Sequence, residues 1–149
     1  LIVGARDVVV GSFSTIDEES RSGADELAGV RADLMYSVVV VASFYERRED
    51  ATAMYRATLA VDPGHAWACN DLGYRMIEDG VIGEELVEAI RLLVIAHEAE
   101  PDAASITDSL AWGRYRMGVF VDQVDAQTGE VVQGARELLI EAIGLEEGA

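Results

Sequence analysis

The sequence predicts an all-α fold built from antiparallel helix pairs, and two kinds of observation support this. The chain has 149 residues, 50% of them hydrophobic and 26% charged, so it can bury the core of one ordinary domain. A pattern of small, large and small side chains also recurs along it, after 38 residues and then after 46. The members of this pattern are three and four residues apart, which places them on one face of a helix.

The pattern repeats with an interval of 38 residues in the middle of the chain. A second group, a large and a small residue followed by an aromatic residue and a glycine, repeats with the same interval. Such a long period is typical of repeat proteins, whose units bury their apolar faces by stacking. The copies of the first group are Ala51, Tyr55, Thr58 and Pro63, then Ala89, Leu93, Ala96 and Pro101, then Ala135, Leu139 and Ala142 without proline; the second group pairs Asn70, Leu72, Gly73, Tyr74 and Gly80 with Asp108, Leu110, Ala111, Trp112 and Gly118.

Each position of the pattern has a role in a helix pair. Small residues let a neighbouring helix approach closely, and the large residue between them fills the remaining space. Gly80 and Gly118 are expected to end the first helix of a pair, because glycine adopts the left-handed conformation that closes a helix. Pro63 and Pro101 are expected to begin the next pair, because proline suits the first turn of a helix.

These residues resemble the tetratricopeptide (TPR) repeat, a helix-turn-helix unit of about 34 residues. The resemblance implies three repeats, at about 32–65, 66–103 and 104–147, stacked as a right-handed superhelical solenoid within a domain of residues 32–149. The matching segments are Met35-x2-Val38-Val39 with Ala51-x3-Tyr55 and Pro63, Cys69-x2-Leu72-Gly73-x2-Met76 with Ala89-x3-Leu93 and Pro101, and Thr107-x2-Leu110-Ala111 with Gly118 and Ala135-x3-Leu139.

Taken in order, the elements begin with an N-terminal segment of residues 1–31. Its valine-rich start is compatible with a strand or with the second helix of a damaged earlier repeat, and we favour the helix because Ala5, Val9 and Ser12 fit the pattern. Residues 14–23 are predicted to form a loop. Helices are predicted at about 24–46, 49–61, 65–79, 84–99, 103–117 and 134–146.

The segment between the last two helices is longer than the turn of the TPR family. Residues 119–132 alternate apolar and polar around Thr128-Gly129, which predicts a small hairpin excursion. Asp122, Asp125 and Glu130 lie in this segment, but a valine occupies the position of one ligand in a calcium loop. We therefore expect a turn and no metal site there.

The charge of the chain narrows the classes of partner. Acidic residues number 28 and basic residues 11, all of them arginine, so the formal net charge is −17. Nucleic-acid binding needs clustered cations, and the pair Arg47-Arg48 is flanked by three acidic residues. The sequence therefore predicts a protein or peptide partner, neutral or basic, and no nucleic acid.

Cysteine content and hydropathy bear on the compartment. Cys69 is the single cysteine, so no internal disulfide can form. The longest apolar run, Val38 to Ala42, is far shorter than the ~18 residues of a membrane span. We expect a soluble protein, with the cytoplasm as the preferred compartment. The start at Leu1, without a leader, predicts a piece of a longer protein.

No arrangement of residues in the sequence is typical of an active site. His65 and His97 each lack a second histidine nearby, so structural or surface roles are expected for them. Cys69 occupies the large-residue position of a predicted helix, which favours buried packing over nucleophilic chemistry. We therefore expect no catalysis and no cofactor.

The resemblance also implies where a partner would bind, since the first helices of TPR units line a concave groove that holds peptides. Aromatic and arginine side chains dominate interface energies, and asparagine both donates and accepts hydrogen bonds. The lysines with which some TPR domains clamp a C-terminal carboxylate are absent, and Asp108 would repel one. An alternative is that Tyr74 and Trp112 pack against the neighbouring repeat. The candidates are Tyr36, Trp67, Asn70, Tyr74, Ile77, Asp108, Trp112, Tyr115 and Arg116, with Asp33, Val40, Phe44 and Ser105 beside them.

Two functional hypotheses follow. The first is a non-catalytic protein-interaction module, a scaffold or adaptor that presents an acidic and aromatic groove to its partner. The alternative is a structural C-terminal part of a larger solenoid, which packs against its own parent chain or forms a homodimer. An apolar stripe on residues 1–13 would support the alternative.

Overall fold

A computed structural model describes residues 22–40 and 48–148 of the chain. The predicted helices are confirmed to within two residues at each end that can be compared. The predicted N-terminal helix of residues 1–13 lies outside the described residues, as does the end of the helix predicted at 24–46. The elements are α1 (22–40), α2 (Arg48–Val61), α3 (Ala66–Glu78), α4 (Glu84–Ala99), α5 (Ala104–Met117), β1 (Gln123–Val124), β2 (Val131–Val132) and α6 (Ala135–Gly148).

Adjacent helices pack as antiparallel pairs, which confirms the all-α, TPR-like solenoid. The most extensive contacts join α3 to α4 and α5 to α6. The pairs are stacked through α5, which packs against both α4 and α3, while α2 packs against α3. Among the described residues, no helix is both long enough and apolar enough to span a bilayer.

The small and large positions of the first two copies of the pattern lie in the core as predicted. Ala89, Leu93 and Ala96 are all fully buried in α4. Gly73 of α3 faces these residues. A Cβ at this position would lie 2.8 Å from the carbonyl oxygen of Ala89. The backbones of α3 and α4 therefore approach more closely than any side chain at residue 73 would allow. In the first copy, Ala51, Tyr55 and Thr58 are buried as well.

The third copy corrects the prediction. Ala135 and Ala142 are buried, but Leu139 is 43% exposed, and the neighbouring Leu138 is fully buried in its place. Leu138 and Leu139 lie on either side of the stripe that Ala135 and Ala142 form along the helix. Helix α6 therefore keeps the small residues of the pattern in the core but is turned slightly, so that Leu138 and not Leu139 is buried between them.

The two turns that join successive helix pairs have the same form, and they correct the prediction for the prolines. Pro63 and Pro101 do not start helices; each occupies the second position of a four-residue turn. These turns are closed by hydrogen bonds from the His65 amide to the Asp62 carbonyl (3.2 Å) and from the Ala103 amide to the Glu100 carbonyl (3.1 Å). Proline suits this position because its φ is already set. The helices then begin at Ala66 and Ala104.

Glycines end α3 and α5 as predicted. Gly80 has φ 81° and Gly118 has φ 82°, in the left-handed region that side chains with a Cβ disfavour. The amide of Gly118 donates to the carbonyl of Tyr115, and the following amide of Val119 donates to the carbonyl of Arg114. These bonds satisfy the last carbonyl groups of α5.

The predicted hairpin is confirmed between α5 and α6. Strands β1 and β2 are antiparallel, with Gln123 opposite Val132 and Val124 opposite Val131. Asp125 accepts hydrogen bonds from the amides of Gln127 and Thr128 at 2.7 and 2.9 Å and so holds the turn. The hairpin returns the chain beside its own start, where the carbonyls of residues 119 and 120 accept the amides of residues 135 and 136. This contact sets where α6 begins.

Candidate functional site

Three adjoining cavities lie along α3, two of them between α3, α5 and α6 and one between α2 and α3, and Tyr74 lines all of them. We refer to these three cavities together as the groove. The first has a volume of about 380 Å³ and is lined in part by Asn70, Asp108 and Leu139. The second, of about 430 Å³, is more aromatic and includes Trp112. The third, of about 270 Å³, lies towards α2 and is lined by Tyr55, Asp71, Tyr74, Arg75 and Glu78.

The groove is acidic. Asp71, Glu78, Asp108 and Glu146 line its cavities, against one arginine, Arg75, within the described part of the chain. Asp71, Asp108 and Glu146 form no ion pair with any described residue. Negative charge without a local counter-ion attracts cationic or neutral groups and repels anions.

A hydrogen-bond network centred on Asp71 forms one wall of the first and third cavities. Its Oδ2 accepts the hydroxyls of Tyr36 (3.0 Å) from α1 and Tyr55 (3.1 Å) from α2. Burial, together with the nearby charge of Asp71, raises the pKa of the Tyr36 phenol far above its usual value, so this hydroxyl keeps its proton and donates. Asp71 thus joins three helices through neutral donors.

Asn70 is oriented by the same carboxylate. Its Nδ2 donates to Oδ1 of Asp71 at 3.1 Å, which fixes the other end of the amide as the oxygen. That oxygen, Oδ1, is buried and has no hydrogen-bond partner among the described residues. Asn70 is 8% exposed and lines the first cavity. A residue of the groove wall thus contains a buried acceptor that no described donor satisfies.

The second cavity is walled by an aromatic cluster. Trp112 stacks on Tyr115 with ring centroids 5.5 Å apart, and Phe120 contacts the Tyr115 ring edge-on. The indole Nε1 of Trp112 donates to Glu78 at 3.1 Å, which ties α5 to the end of α3. Arg116 lies 5.9 Å from the Trp112 ring centre, a cation–π distance.

The predicted site residues divide into three groups. Asn70, Tyr74, Asp108, Trp112 and Tyr115 line the groove, and Ser105 lines it as well. Tyr36 and Arg116 support it: Tyr36 bonds to Asp71, and the guanidinium of Arg116 donates to the Ile77 carbonyl at 2.9 Å. Trp67 is 39% exposed but lines none of the described cavities. Among the neighbours, Asp33 contacts His65, and Phe44 lies outside the described residues.

Ile77 is a wrong prediction. It is fully buried in the main core and cannot contact a partner in the groove. The reason lies on α5, where Gly113 has no side chain and Ile77 packs into the space, its Cδ1 3.2 Å from where a Cβ would be. An apolar residue opposite a helical glycine is drawn into the interface between the helices.

Sequence reasoning missed the contribution of α6. The family resemblance implies a groove lined by first helices, whereas Leu139, Ile143 and Glu146 of α6 line the first cavity. The apolar pattern of α6 predicts a stripe that faces the core, but Leu138 and Leu139 both border this stripe, so the pattern does not show which of them faces the groove. Asp71 was also missed, although it is adjacent to Asn70 and its charge gave a signal.

The residues considered for catalysis have structural roles. His65 caps α3, its Nδ1 accepting the amide of Ala68 at 3.2 Å, and its Nε2 contacts Asp33 on α1 at 3.2 Å. Cys69 is fully buried, and burial, with a smaller effect from the charge of Asp62, raises the pKa of its thiol to about 11. A thiol in this state is a poor nucleophile at neutral pH.

Comparisons with known proteins point in the same direction as the repeat pattern. No protein-family model matches the chain. The chain is 33% identical over 93 residues to a TPR repeat-containing protein of Pseudomonas aeruginosa. The match covers 60% of this chain and 15% of the relative, so the chain spans a small part of the relative's length.

Proposed function

We propose that this chain is a TPR-type, non-catalytic interaction module that holds a segment of a partner protein in the groove. The observation that carries the proposal is a set of exposed aromatic side chains beside carboxylates that form no ion pair within the described part of the chain. Tyr74 is 41% exposed and Tyr115 is 53% exposed, although both line cavities. The name of the Pseudomonas relative and the predicted repeats at 32–65, 66–103 and 104–147 support the same function.

The composition of the groove favours a peptide over a flat protein surface. Its cavities adjoin one another at Tyr74, so together they are suited to consecutive side chains of a segment. Tyrosine and tryptophan contribute large contact areas at low entropic cost, and such residues dominate measured binding energies. Acidic residues along the groove exclude acidic segments and favour neutral or basic ones.

The test is quantitative affinity purification with a groove variant and a matched control. The groove variant carries Tyr74→Ala and Tyr115→Ala, while the control carries Ile82→Ala and Val87→Ala. The control residues are 78% and 43% exposed and line neither the first, the second nor the third cavity of the groove. We expect partners captured from lysate to be lost at least tenfold with the groove variant and retained with the control, with both variants melting alike. Equal retention by both variants would contradict the proposal.

A second candidate function is structural, and an apolar stripe on α1 favours it. Leu27, Leu34 and Val38 are 70%, 65% and 57% exposed, and their spacing of seven and four residues places them on one face. Such a face is suited to another repeat of a parent chain or to a second copy of this one. Light scattering after gel filtration tests self-association: a dimer that Leu34→Asp dissolves supports this function, and a monomer at all concentrations contradicts homodimerisation.

A further inference from the structure

We propose that the first cavity binds a lysine or arginine side chain of the partner, and that the second cavity binds a large apolar side chain one or two residues away. This inference rests on the proposed function and states the chemistry of the segment that the groove accepts. Three observations carry it: the carboxylates, the unused acceptor of Asn70 and the adjoining aromatic cavity.

The carboxylates of the first cavity have no cation within the described structure. The donors to Asp71 among the described residues are all neutral, namely the hydroxyls of Tyr36 and Tyr55 and the amide of Asn70. Asp108 is on the α5 side and Glu146 on the α6 side of the same cavity. Three helices thus direct negative charge towards one space, and a cation entering it meets a carboxylate from each.

Asn70 provides an observation that is independent of charge. A buried acceptor without a partner is unfavourable, and folded proteins rarely leave one. Because Nδ2 donates to Asp71, the amide is held with Oδ1 as the unpaired atom, buried in a residue that lines the first cavity. A group that enters the first cavity and donates a hydrogen bond would satisfy this atom. Ammonium and guanidinium groups carry three and five donors and no acceptor, so they match a wall made of acceptors.

The second cavity determines which kind of side chain should lie next to the lysine or arginine in the bound segment. It shares Tyr74, Asp108 and Leu139 with the first cavity, so the two are side by side. Its remaining wall includes Ala111 and Tyr115 and is predominantly apolar. The one donor of the Trp112 indole is already bound to Glu78. An extended segment that places a cation in the first cavity therefore places an adjacent apolar side chain here.

The experiment selects binders from a random dodecapeptide display library with the full 149-residue chain. Affinities of the selected peptides are then measured by fluorescence anisotropy. We expect enrichment of lysine or arginine beside a large apolar residue. Acetylation of that lysine, which removes the charge and keeps the chain length, should weaken binding by roughly tenfold or more.

Two variants of the protein localise the effect. Asp108→Asn should weaken the unmodified peptide by roughly tenfold and leave the acetylated peptide unchanged, which shows that the two groups interact. The control variant, Asp102→Asn, removes the same charge from an exposed position outside the described cavities. Its affinity for the peptide should stay within about twofold of the unaltered protein. This control separates the local effect of Asp108 from a general effect of net charge.

The possible results are distinct. Peptides that require Tyr74 and Tyr115 but show no preference for a cation, or no response to Asp108→Asn, would overturn this inference and leave the proposed function standing. Peptides whose binding is unaffected by Tyr74→Ala and Tyr115→Ala would overturn both. Failure to enrich any peptide would count against both as well, because a peptide-binding groove is then not present.

Discussion

The helix pair α3–α4 and the pair α5–α6 carry the same sequence pattern and pack differently. In α4 the large residue of the pattern, Leu93, is fully buried, whereas its counterpart in α6, Leu139, is 43% exposed. The small residues behave alike in both pairs, since Ala89 and Ala135 are buried. Small residues therefore mark close approach wherever they occur, but the role of the large residue depends on how its helix is rotated.

The difference between the pairs originates in the segment that connects the two helices of each pair. A short turn after Gly80 leads into α4, while the hairpin separates α5 from α6. Gly134 is packed so tightly against the backbone of Val121 that a Cβ would collide with it. This contact, with the amides of residues 135 and 136 bound to residues 119 and 120, fixes the entry of α6. As a result α6 turns Leu138 to the core and Leu139 to the groove.

The largest effect that tests this comparison is expected from three leucine truncations. Leu93→Ala and Leu138→Ala should each lower the free energy of unfolding by about 2–5 kcal/mol, because both side chains are fully buried. Leu139→Ala should cost less than about 1 kcal/mol, since part of its surface already contacts water. Urea denaturation of the three variants measures this. A cost for Leu139→Ala equal to that of Leu93→Ala would restore the repeat pattern as the guide to packing.

The next effect concerns one glycine in the first helix of each pair. Gly73→Ala should destabilise the protein by about 1–3 kcal/mol, because the new Cβ meets the carbonyl of Ala89, which is backbone and cannot move aside. Gly113→Ala meets the terminal methyls of Ile90 and Leu93, which can rotate. The gain in helix propensity of about 1 kcal/mol should offset most of its cost. Thermal melting distinguishes the two, and equal destabilisation would contradict the difference.

A smaller effect is expected at the starts of α3 and α5. His65 caps α3 with its side chain, whereas Ala103, in the same extended conformation before α5, makes no side-chain cap. Ala103→Ser should therefore stabilise the protein by about 0.5–1 kcal/mol. The matched change His65→Ala should destabilise it. A neutral or harmful Ala103→Ser, measured by urea denaturation, would show that α5 needs no cap.

The smallest effect concerns the pH dependence of stability. Cys69 of α3 and Thr107 of α5 occupy equivalent positions in the two helix pairs, and both are fully buried. The pKa of the Cys69 thiol is about 11, above its ordinary value of 9.0, because burial disfavours the thiolate. Between these values the unfolded chain loses the proton while the folded chain keeps it, so stability falls as pH rises from 9.0 to about 11. Thr107 does not titrate, so α5 has no such component.

Cys69→Ala provides the measurement of this component. The free energy of unfolding of the unaltered chain should fall more steeply with pH over that interval than that of the variant. Parallel pH profiles would show that the thiol titrates at its ordinary value, and hence that it is less buried than the structure indicates.

About a third of the residues that line the groove could be anticipated from the sequence. Asn70, Tyr74, Asp108, Trp112 and Tyr115 were found because they follow the periodicity of first helices, and a helix presents such positions on one side whatever its neighbours are. Ile77 fits the same periodicity but was drawn into the core by the absence of a side chain at Gly113. The contribution of α6 required knowledge of its rotation, which no pattern within the helix contains.

The order of helices, their ends and the turns between them follow from local chemistry that the chain carries in its own residues. Gly80 and Gly118 act through their own backbone, so their position in the sequence is enough to interpret them, while Pro63 and Pro101 mark the turns between pairs but not the first residues of the helices. The assignment of Leu138 rather than Leu139 to the core, and of Asp71 to the wall of the groove, arose from contacts between distant segments. Packing chooses between Leu138 and Leu139 because both border the stripe of Ala135 and Ala142, so a small turn of the helix changes which leucine is buried without changing the periodicity.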